Sequence, residues 1–221
     1  MENLFERSQG NFINKTLVTM SMGLLVTFVT AILTPMFMAE AMTKGLMIGA
    51  MVAELVVVFY LSARVRKMSV SSARFCFYLY AALNGFTMSI IFVSYDIKLV
   101  STVFLITSAM FLCSAMVGMT TKKDLSMFGR FLMMMVLGLL LLTVVQVAFG
   151  LSGMSFGISI LGIGVFCGLT AYDMQKIKRF HAECYYLNPE DVSKFVIISA
   201  LELYLDFINL FWYIFRLFTD D

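Results

Sequence analysis

The sequence predicts an all-α integral membrane protein with seven transmembrane helices. Hydrophobic residues make up 61% of the 221 residues and charged residues only 14%, whereas a soluble domain is about 45–50% apolar and about 25% charged. Apolar stretches of about 20 residues, the length that crosses a bilayer, recur along the chain. This composition excludes a soluble enzyme and a disordered chain. The net charge of only +2 argues against nucleic acid or another polyanionic partner.

Seven segments have the length and apolar character of membrane-spanning helices. The last of them is the most polar, because it contains Glu202, Asp206 and Arg216. The connections between the segments are short, so we expect residues 1–221 to form a single membrane domain without a soluble part. The predicted helices are residues 16–36, 45–63, 75–93, 99–119, 127–149, 155–175 and 195–218.

The first segment is expected to span the membrane, because its apolar run exceeds the roughly 7–15 residues of a signal-peptide core. The distribution of Lys and Arg indicates the orientation, since cytoplasmic loops of membrane proteins are rich in basic residues. Most of the 16 Lys and Arg residues fall on the cytoplasmic side if the N-terminus is inside and the C-terminus outside. If the last segment only enters the membrane and returns, Arg216 instead faces the cytoplasm.

Four acidic residues within the predicted helices are the main candidates for function. An acid near the middle of a bilayer costs at least about 2.5–3.5 kcal/mol, and such residues usually face the interior of the bundle. Measured from the basic ends of their helices, all four lie in the inner half of the membrane. Each one taken singly is also compatible with a structural ion pair or with a carboxyl that stays protonated. The four are Glu54, Asp173, Glu202 and Asp206.

The last segment carries a polar stripe. Glu202, Asp206 and Asn209 are spaced so that they share one helical face. Because polar groups must be shielded from lipid, we expect this helix to be central in the bundle. Carboxylates that meet in low dielectric hold a proton between them, whereas a nearby arginine favours the charged form. Their oxygens also suit Ca²⁺, so the cluster is predicted to be a pH-biased switch.

Two smaller features lie in the connections. Asp124 follows Lys122 and Lys123, and we expect it to be a solvated loop acid near basic neighbours. Residues 188–191, Asn-Pro-Glu-Asp, have the sequence of a turn followed by a helix start. The two acids suit the N-terminal end of that helix, where the backbone dipole is positive.

Four segments carry a family resemblance, and they follow one another in the right order over nearly the whole chain. Residues 166–178 read Phe-Cys-Gly-Leu-Thr-Ala-Tyr-Asp-Met-Gln-Lys-Ile-Lys, and residues 203–211 read Leu-Tyr-Leu-Asp-Phe-Ile-Asn-Leu-Phe. Residues 122–126 read Lys-Lys-Asp-Leu-Ser, and residues 84–88 read Asn-Gly-Phe-Thr-Met. These segments resemble the sixth helix, the last helix, the loop after the fourth helix and the third helix of the Bax inhibitor-1 family.

The resemblance implies two groups of three helices around a central C-terminal helix, and a pH-sensitive calcium leak across the membrane. In family terms, Asp173 and Asp206 form a proton-sharing dyad and are the residues expected to contact the calcium ion. An arginine at the inner end of the second helix would latch Asp173. Arg64 is the best match for that arginine and Arg66 is the alternative.

The other intramembrane acids are placed by the same resemblance. Glu54 matches an acid deeper in the second helix, whereas Glu202 replaces a residue that is commonly small and polar. The resemblance implies that protonation of the dyad closes the leak and that deprotonation opens it. No lysine-rich tail of the eukaryotic kind is found, which favours the plasma membrane of a bacterium. Calcium, protons and membrane lipid are then the expected partners, and no cofactor is required.

Two other functions are compatible with part of the sequence. Tyr172-Asp173 and Asp206 are similar to the active-site pair of intramembrane aspartyl proteases, but the Gly-x-Gly-Asp element of that class is absent, so we expect no enzyme. The sequence is also compatible with an interaction protein that modulates other membrane proteins or proteases, because no residue excludes that function. A retinal-type pump is disfavoured because the last segment has no lysine between Lys194 and Arg216.

Overall fold

The computed structural model describes residues 2–38, 43–150, 155–184 and 188–219, and in these residues the chain forms seven α-helices and no strand. Each helix contains a stretch long and apolar enough to cross a membrane, which confirms the predicted fold class. A short 3₁₀ turn, Val65–Lys67, follows the second helix. The helices are α1 (Glu2–Met38), α2 (Lys44–Arg64), α3 (Val70–Ser94), α4 (Ile97–Thr120), α5 (Ser126–Phe149), α6 (Ser155–Cys184) and α7 (Pro189–Thr219).

Three helices extend well beyond the predicted ranges. α1 begins at Glu2 rather than at residue 16, α6 continues to Cys184 rather than ending at residue 175, and α7 begins at Pro189 rather than at residue 195. Hydropathy marks only the part of a helix that suits lipid. Backbone hydrogen bonding continues through polar residues of good helix propensity, so these three helices are longer than their apolar segments.

The start of α7 agrees with the turn and helix start predicted at residues 188–191. Proline is favoured at the first helical position, where its missing N–H leaves no hydrogen bond unmade. Glu190 and Asp191 follow in the first turn, where negative charge is favourable. The Lys194 Nζ atom lies 3.2 Å from Glu190 Oε1 and 3.6 Å from Asp191 Oδ1, and these pairs add support to the turn.

The chain divides into two compact units, and the first comprises Met1–Ile97 and Phe180–Tyr204. In this unit α3 packs against both α1 and α2. Its closest backbone approach is at Gly85, where a Cβ atom would lie only 2.3 Å from the carbonyl oxygen of Thr27. The Thr27 hydroxyl also lies 2.6 Å from the Tyr204 hydroxyl. Small residues such as Gly85 allow helices in membranes to approach closely.

The second unit comprises Lys98–Arg179 and Leu205–Asp221. Its closest approach joins α4 to α6, because a Cβ atom at Gly118 would lie 2.1 Å from the carbonyl oxygen of Ala171. Glycine is required there for the two backbones to touch. Each unit therefore contains a glycine at which the backbones of two neighbouring helices approach closely.

Burial differs strongly between the helices. In the most apolar window of each helix, 67% of the residues are buried in α7, 17% in α5 and 11% in α2. The high burial of α7 agrees with the shielding predicted for its polar stripe. The arrangement of the other helices around a central α7, and the folding of residues 1–221 as a single domain, stay predictions.

Candidate functional site

Asp173 and Asp206 are both deeply buried in the second unit. Their exposed fractions are only 8% and 5%. Buried acids in membrane-spanning helices are costly and are usually retained for a functional reason. The two aspartates are therefore the most constrained of the four intramembrane acids predicted from the sequence.

The packing of α6 on α7 sets the two aspartates level with each other. Phe166 of α6 stacks on Tyr213 of α7, with ring centroids 5.7 Å apart, and the short connection makes these neighbouring helices antiparallel. Asp173 lies seven residues after Phe166, and Asp206 lies seven residues before Tyr213. Seven residues are about two turns, or about 10.5 Å, and return to nearly the same face. The register therefore favours two aspartates at one level on the facing sides of α6 and α7.

The residues directly before Asp173 are held tightly by neighbouring helices of the same unit. The Ala171 backbone touches Gly118 of α4, and the Tyr172 ring covers Gly129 of α5, where a Cβ atom would lie 2.5 Å from the ring. Protein interiors are close-packed, so such contacts leave little freedom for displacement. The backbone that carries Asp173 is thus fixed by both α4 and α5.

A polar clamp holds the residues after Asp173. We use the term loop clamp for the contacts of Gln175 and Arg179 of α6 with the connection between α4 and α5. The Gln175 side chain accepts a hydrogen bond from the Leu125 backbone N–H (2.9 Å) and donates one to the Lys123 carbonyl oxygen (2.8 Å). Gln175 is itself buried, so this amide satisfies one donor and one acceptor of the loop backbone.

Arg179 completes the loop clamp from the end of α6. Its guanidinium donates to the carboxylate of Asp124, to the hydroxyl of Ser126 and to the side-chain oxygen of Gln175. The Ser126 backbone N–H, the Arg179 guanidinium and the Ser126 side chain lower the pKa of Asp124 to about 2. Asp124 is an exposed loop acid, as predicted, and its basic partner is Arg179, with which it forms an ion pair.

Glu54 is the acid of α2, and it belongs to the first unit. It is part-buried, and its Oε1 atom accepts a hydrogen bond from the Thr87 hydroxyl (2.8 Å). The Thr87 hydroxyl also lies 3.0 Å from the carbonyl oxygen of Asn84. Thr87 therefore ties the acid of α2 to α3, a role that hydropathy does not reveal.

The remaining candidates are less enclosed. Glu202 of α7 is half-buried and belongs to the first unit, whereas Arg64 and Arg66 are exposed. The Arg66 guanidinium lies 5.7 Å from the centroid of the Phe195 ring, a distance that suits a cation–π contact. The latch between Asp173 and Arg64, or its alternative Arg66, stays a prediction.

No group of three or more metal-ligating acidic, cysteine or histidine residues occurs in the part of the chain that the structure describes. Ca²⁺ takes six to eight oxygen ligands in proteins. Asp173 and Asp206 would supply only some of them, and water or backbone oxygens the rest.

The family described as "Inhibitor of apoptosis-promoting Bax1" matches residues 9–221. The chain belongs to the Bax inhibitor-1 family. This match covers α1 from residue 9 onward and all of α2 to α7, including both aspartates and the loop clamp, and it confirms the family predicted from the four sequence segments.

Curated relatives from three bacteria illustrate how far the similarity extends. The inner membrane protein YbhL of Escherichia coli K12 is 38% identical over 174 residues, or 79% of this chain and 74% of the relative. An uncharacterized protein of Deinococcus radiodurans is 37% identical over 204 residues, covering 92% and 87% of the two chains. One of Borreliella burgdorferi is 35% identical over 212 residues, covering 94% and 91%.

The structure shows what several residues of the Bax inhibitor-1 segments contact. Residues 84–88 contain both Gly85, which touches α1, and Thr87, which holds Glu54. Residues 122–126 are the loop that Gln175 of the segment 166–178 binds. The polar residues inside these segments are the only feature of the sequence that could have indicated these contacts. The sequence alone does not show which of the polar residues contact one another.

Proposed function

We propose that this member of the Bax inhibitor-1 family is a pH-sensitive calcium leak in which Asp173 and Asp206 share a proton and control the flux. The observation that carries the proposal is the burial of both aspartates in the second unit, on two helices whose Phe166–Tyr213 contact favours a register with the aspartates at one level. Family membership gives independent support. The protein acts as a passive pathway rather than as an enzyme, and it needs no cofactor.

The physical basis of the switch is the behaviour of two carboxyls in a medium of low dielectric. With one proton between them, the pair carries a single charge and a hydrogen bond that holds α6 and α7 together. When that proton leaves, two negative charges repel each other at close range, and the repulsion is strong because little water screens it. The same charges attract Ca²⁺, whose preferred ligands are oxygens. Deprotonation therefore opens the pathway and supplies a binding step.

The tight packing before Asp173 and the loop clamp after it determine where the movement occurs. Because α4, α5 and the connection between them hold the α6 backbone, α7 is the element that moves when the charges separate. In this proposal Arg64, or its alternative Arg66, stabilises the charged form of Asp173 and sets the pH at which the change occurs.

We place the protein in the inner membrane of a bacterium, because its Escherichia coli relative YbhL is an inner membrane protein. The N-terminus is cytoplasmic and the C-terminus outside, because most basic residues then fall on the cytoplasmic side. A cysteine introduced near each end and labelled from one side of the membrane tests this orientation. Labelling of both ends from one side would contradict it.

The function is tested by Ca²⁺ flux into liposomes that contain the purified protein, measured across the range from about pH 5 to about pH 8. Wild type is expected to give a flux that rises with pH, and Asp206→Asn to lose most of that dependence. Asp96→Asn is the matched control, because Asp96 is an exposed acid between α3 and α4 and should leave the profile unchanged.

The outcomes separate the leak from the alternative of an interaction protein. Absence of flux in wild-type liposomes at every pH would contradict the leak. Partner membrane proteins that remain bound when both aspartates are replaced would then support a role in modulating other membrane proteins. Flux that persists with an unaltered profile in Asp206→Asn would keep a leak but remove the dyad from its control.

A further inference from the structure

An apolar groove runs along the outer face of α5. It has a volume of about 980 Å³ and begins at Asp124 and Arg130. Met127 at one end and Leu137 at the other are 79% and 62% exposed, so the groove opens away from the protein. Because α5 is long and apolar enough to cross a membrane, this face lies against lipid. The apolar lining consists of Met127, Phe128, Phe131, Met133, Met134 and Leu137.

Arg130 is an unusual residue for such a face. It is the fifth residue of α5 and lies about 6 Å from the start of the helix, inside the stretch Ser126–Gln146 that is able to span a membrane. Among the residues that the structure describes, no hydrogen bond or ion pair holds its guanidinium. The acid nearest in sequence, Asp124, is engaged by Arg179. An arginine near the end of a membrane-spanning helix extends its side chain to the interface, where anions outside the protein can pair with it.

The chemistry of that counterion follows from its location. At the boundary between lipid tails and headgroups, the available anion is a lipid phosphate. The planar guanidinium of arginine matches a phosphate with two parallel hydrogen bonds. Lys122 and Lys123 are also exposed directly before α5, and clusters of basic residues beside a membrane attract anionic lipids.

We propose that the α5 groove is a binding site for one phospholipid with an anionic headgroup. Its phosphate pairs with Arg130, the remaining headgroup charge lies near Lys122 and Lys123, and one acyl chain follows the apolar lining towards Leu137. The proposal rests on the membrane-spanning fold and the groove alone, so it stands or fails independently of the calcium leak.

Native mass spectrometry of the full chain in detergent micelles provides the test, with phosphatidylglycerol as the anionic probe and phosphatidylcholine as the zwitterionic one. Wild type is expected to retain one phosphatidylglycerol molecule in preference to phosphatidylcholine. Arg130→Gln should weaken phosphatidylglycerol binding by about tenfold, the factor for loss of a charge-assisted contact. Because Arg130 is exposed, this variant is expected to fold.

Arg74→Gln is the matched control. Arg74 is also exposed and is also the fifth residue of its helix, α3, but it does not line the groove. Its replacement should leave lipid binding at the wild-type level. Equal losses in both variants would overturn the proposal in favour of unspecific charge attraction, as would equal binding of the two lipids by wild type.

Two further measurements exclude other occupants. Inorganic phosphate at millimolar concentration should not displace the lipid, because it makes no contact with the apolar lining; displacement would overturn the acyl-chain part of the proposal. A dimer that forms through α5, with Met134→Gln disrupting it and Arg130→Gln leaving it intact, would identify a second copy rather than a lipid as the occupant.

Discussion

The two units of the protein hold their intramembrane acids in different ways. In the first unit, Glu54 is part-buried and receives one hydrogen bond from the Thr87 hydroxyl, on a helix of which little is buried inside the protein. In the second unit, Asp173 is 8% exposed, and the chain is fixed on both sides of it. The position of the Glu54 carboxyl therefore depends on one side chain, that of Thr87. The backbone at Asp173 is held in place, so the main change expected there is a change in the charge of the carboxyl itself.

The comparison also separates structural contacts from contacts that bear on the proposed switch. Gly85 and Gly118 make equally close approaches to a neighbouring backbone, one in each unit. Only the partner of Gly118, Ala171, lies within two residues of a predicted functional acid. Substitutions that destabilise the two units by similar amounts should therefore differ in their effect on the pH profile of calcium flux.

The largest effect is expected from Gly118→Ala and Gly85→Ala. Each adds a methyl group where a Cβ atom meets a carbonyl oxygen at 2.1 Å and 2.3 Å, respectively, and overpacking of this kind costs about 1–3 kcal/mol. Both variants should lower the thermal unfolding temperature in detergent by similar amounts. Only Gly118→Ala should also shift the pH profile of calcium flux.

Gly138→Ala and Gly49→Ala are the controls for these two variants. Neither glycine has another group within 4 Å of an added Cβ atom, so the free energy of unfolding should be unchanged or raised by up to about 1 kcal/mol through better helix propensity. If Gly85→Ala altered the pH profile of calcium flux and Gly118→Ala did not, the predicted difference between the two units would be contradicted.

The second largest effect is expected from Gln175→Ala, which removes the centre of the loop clamp. The Leu125 N–H and the Lys123 carbonyl oxygen lose their side-chain partner, and an unsatisfied buried polar group costs about 1–3 kcal/mol. Hydrogen exchange at the Leu125 amide should accelerate. Gln175→Glu keeps the acceptor for that amide and should protect it, so equal exchange in both variants would contradict the clamp.

Thr87→Val should have a smaller effect, in the first unit. The replacement keeps the shape of the side chain but removes the donor to Glu54, and one such hydrogen bond contributes about 0.5–1.5 kcal/mol. The unfolding temperature should fall while the pH profile of flux stays the same. Thr102→Val is the control, because the Thr102 hydroxyl bonds only within its own helix. A shifted pH profile in Thr87→Val would make Glu54 part of the switch.

The smallest effect is expected from Asp124→Asn. The pKa of Asp124 is lowered to about 2 from its ordinary value of 3.8, so its stabilising effect is fully present above the ordinary value and is lost only as pH falls towards about 2. Its charge is therefore constant between about pH 5 and about pH 8. Any change in unfolding temperature should be the same at both values, and a change confined to the lower pH would disprove this.

Much of the fold was predictable because hydropathy reports directly on lipid contact. Seven apolar segments predicted seven helices, and the spacing of Glu202, Asp206 and Asn209 predicted a shielded face on α7, which proves to be the most buried helix. The ends of α1, α6 and α7 were predicted too short. Membrane hydropathy and helical hydrogen bonding are different properties, and they end at different residues.

Only the charged residues of the candidate site could be predicted from the sequence. An intramembrane aspartate is conspicuous in a sequence because of its cost, whereas Gln175 and Thr87 are ordinary residues whose importance depends on what they meet. Gln175 binds a loop that lies about 50 residues away in the chain, and no local pattern encodes such a contact. The groove of α5 is similarly hidden, because its apolar residues look like any lipid-facing set.

The central claim, that Asp173 and Asp206 act as one proton-sharing unit, is tested most directly by a double-mutant cycle on the pH dependence of calcium flux. Residues that share one proton are not independent, so Asp173→Asn and Asp206→Asn should each abolish most of the pH dependence, and the double variant should remove no more than either single one. Asp96→Asn, at the exposed acid between α3 and α4, is the control and should retain the profile. Single variants with a wild-type profile, or effects that simply add, would contradict the account.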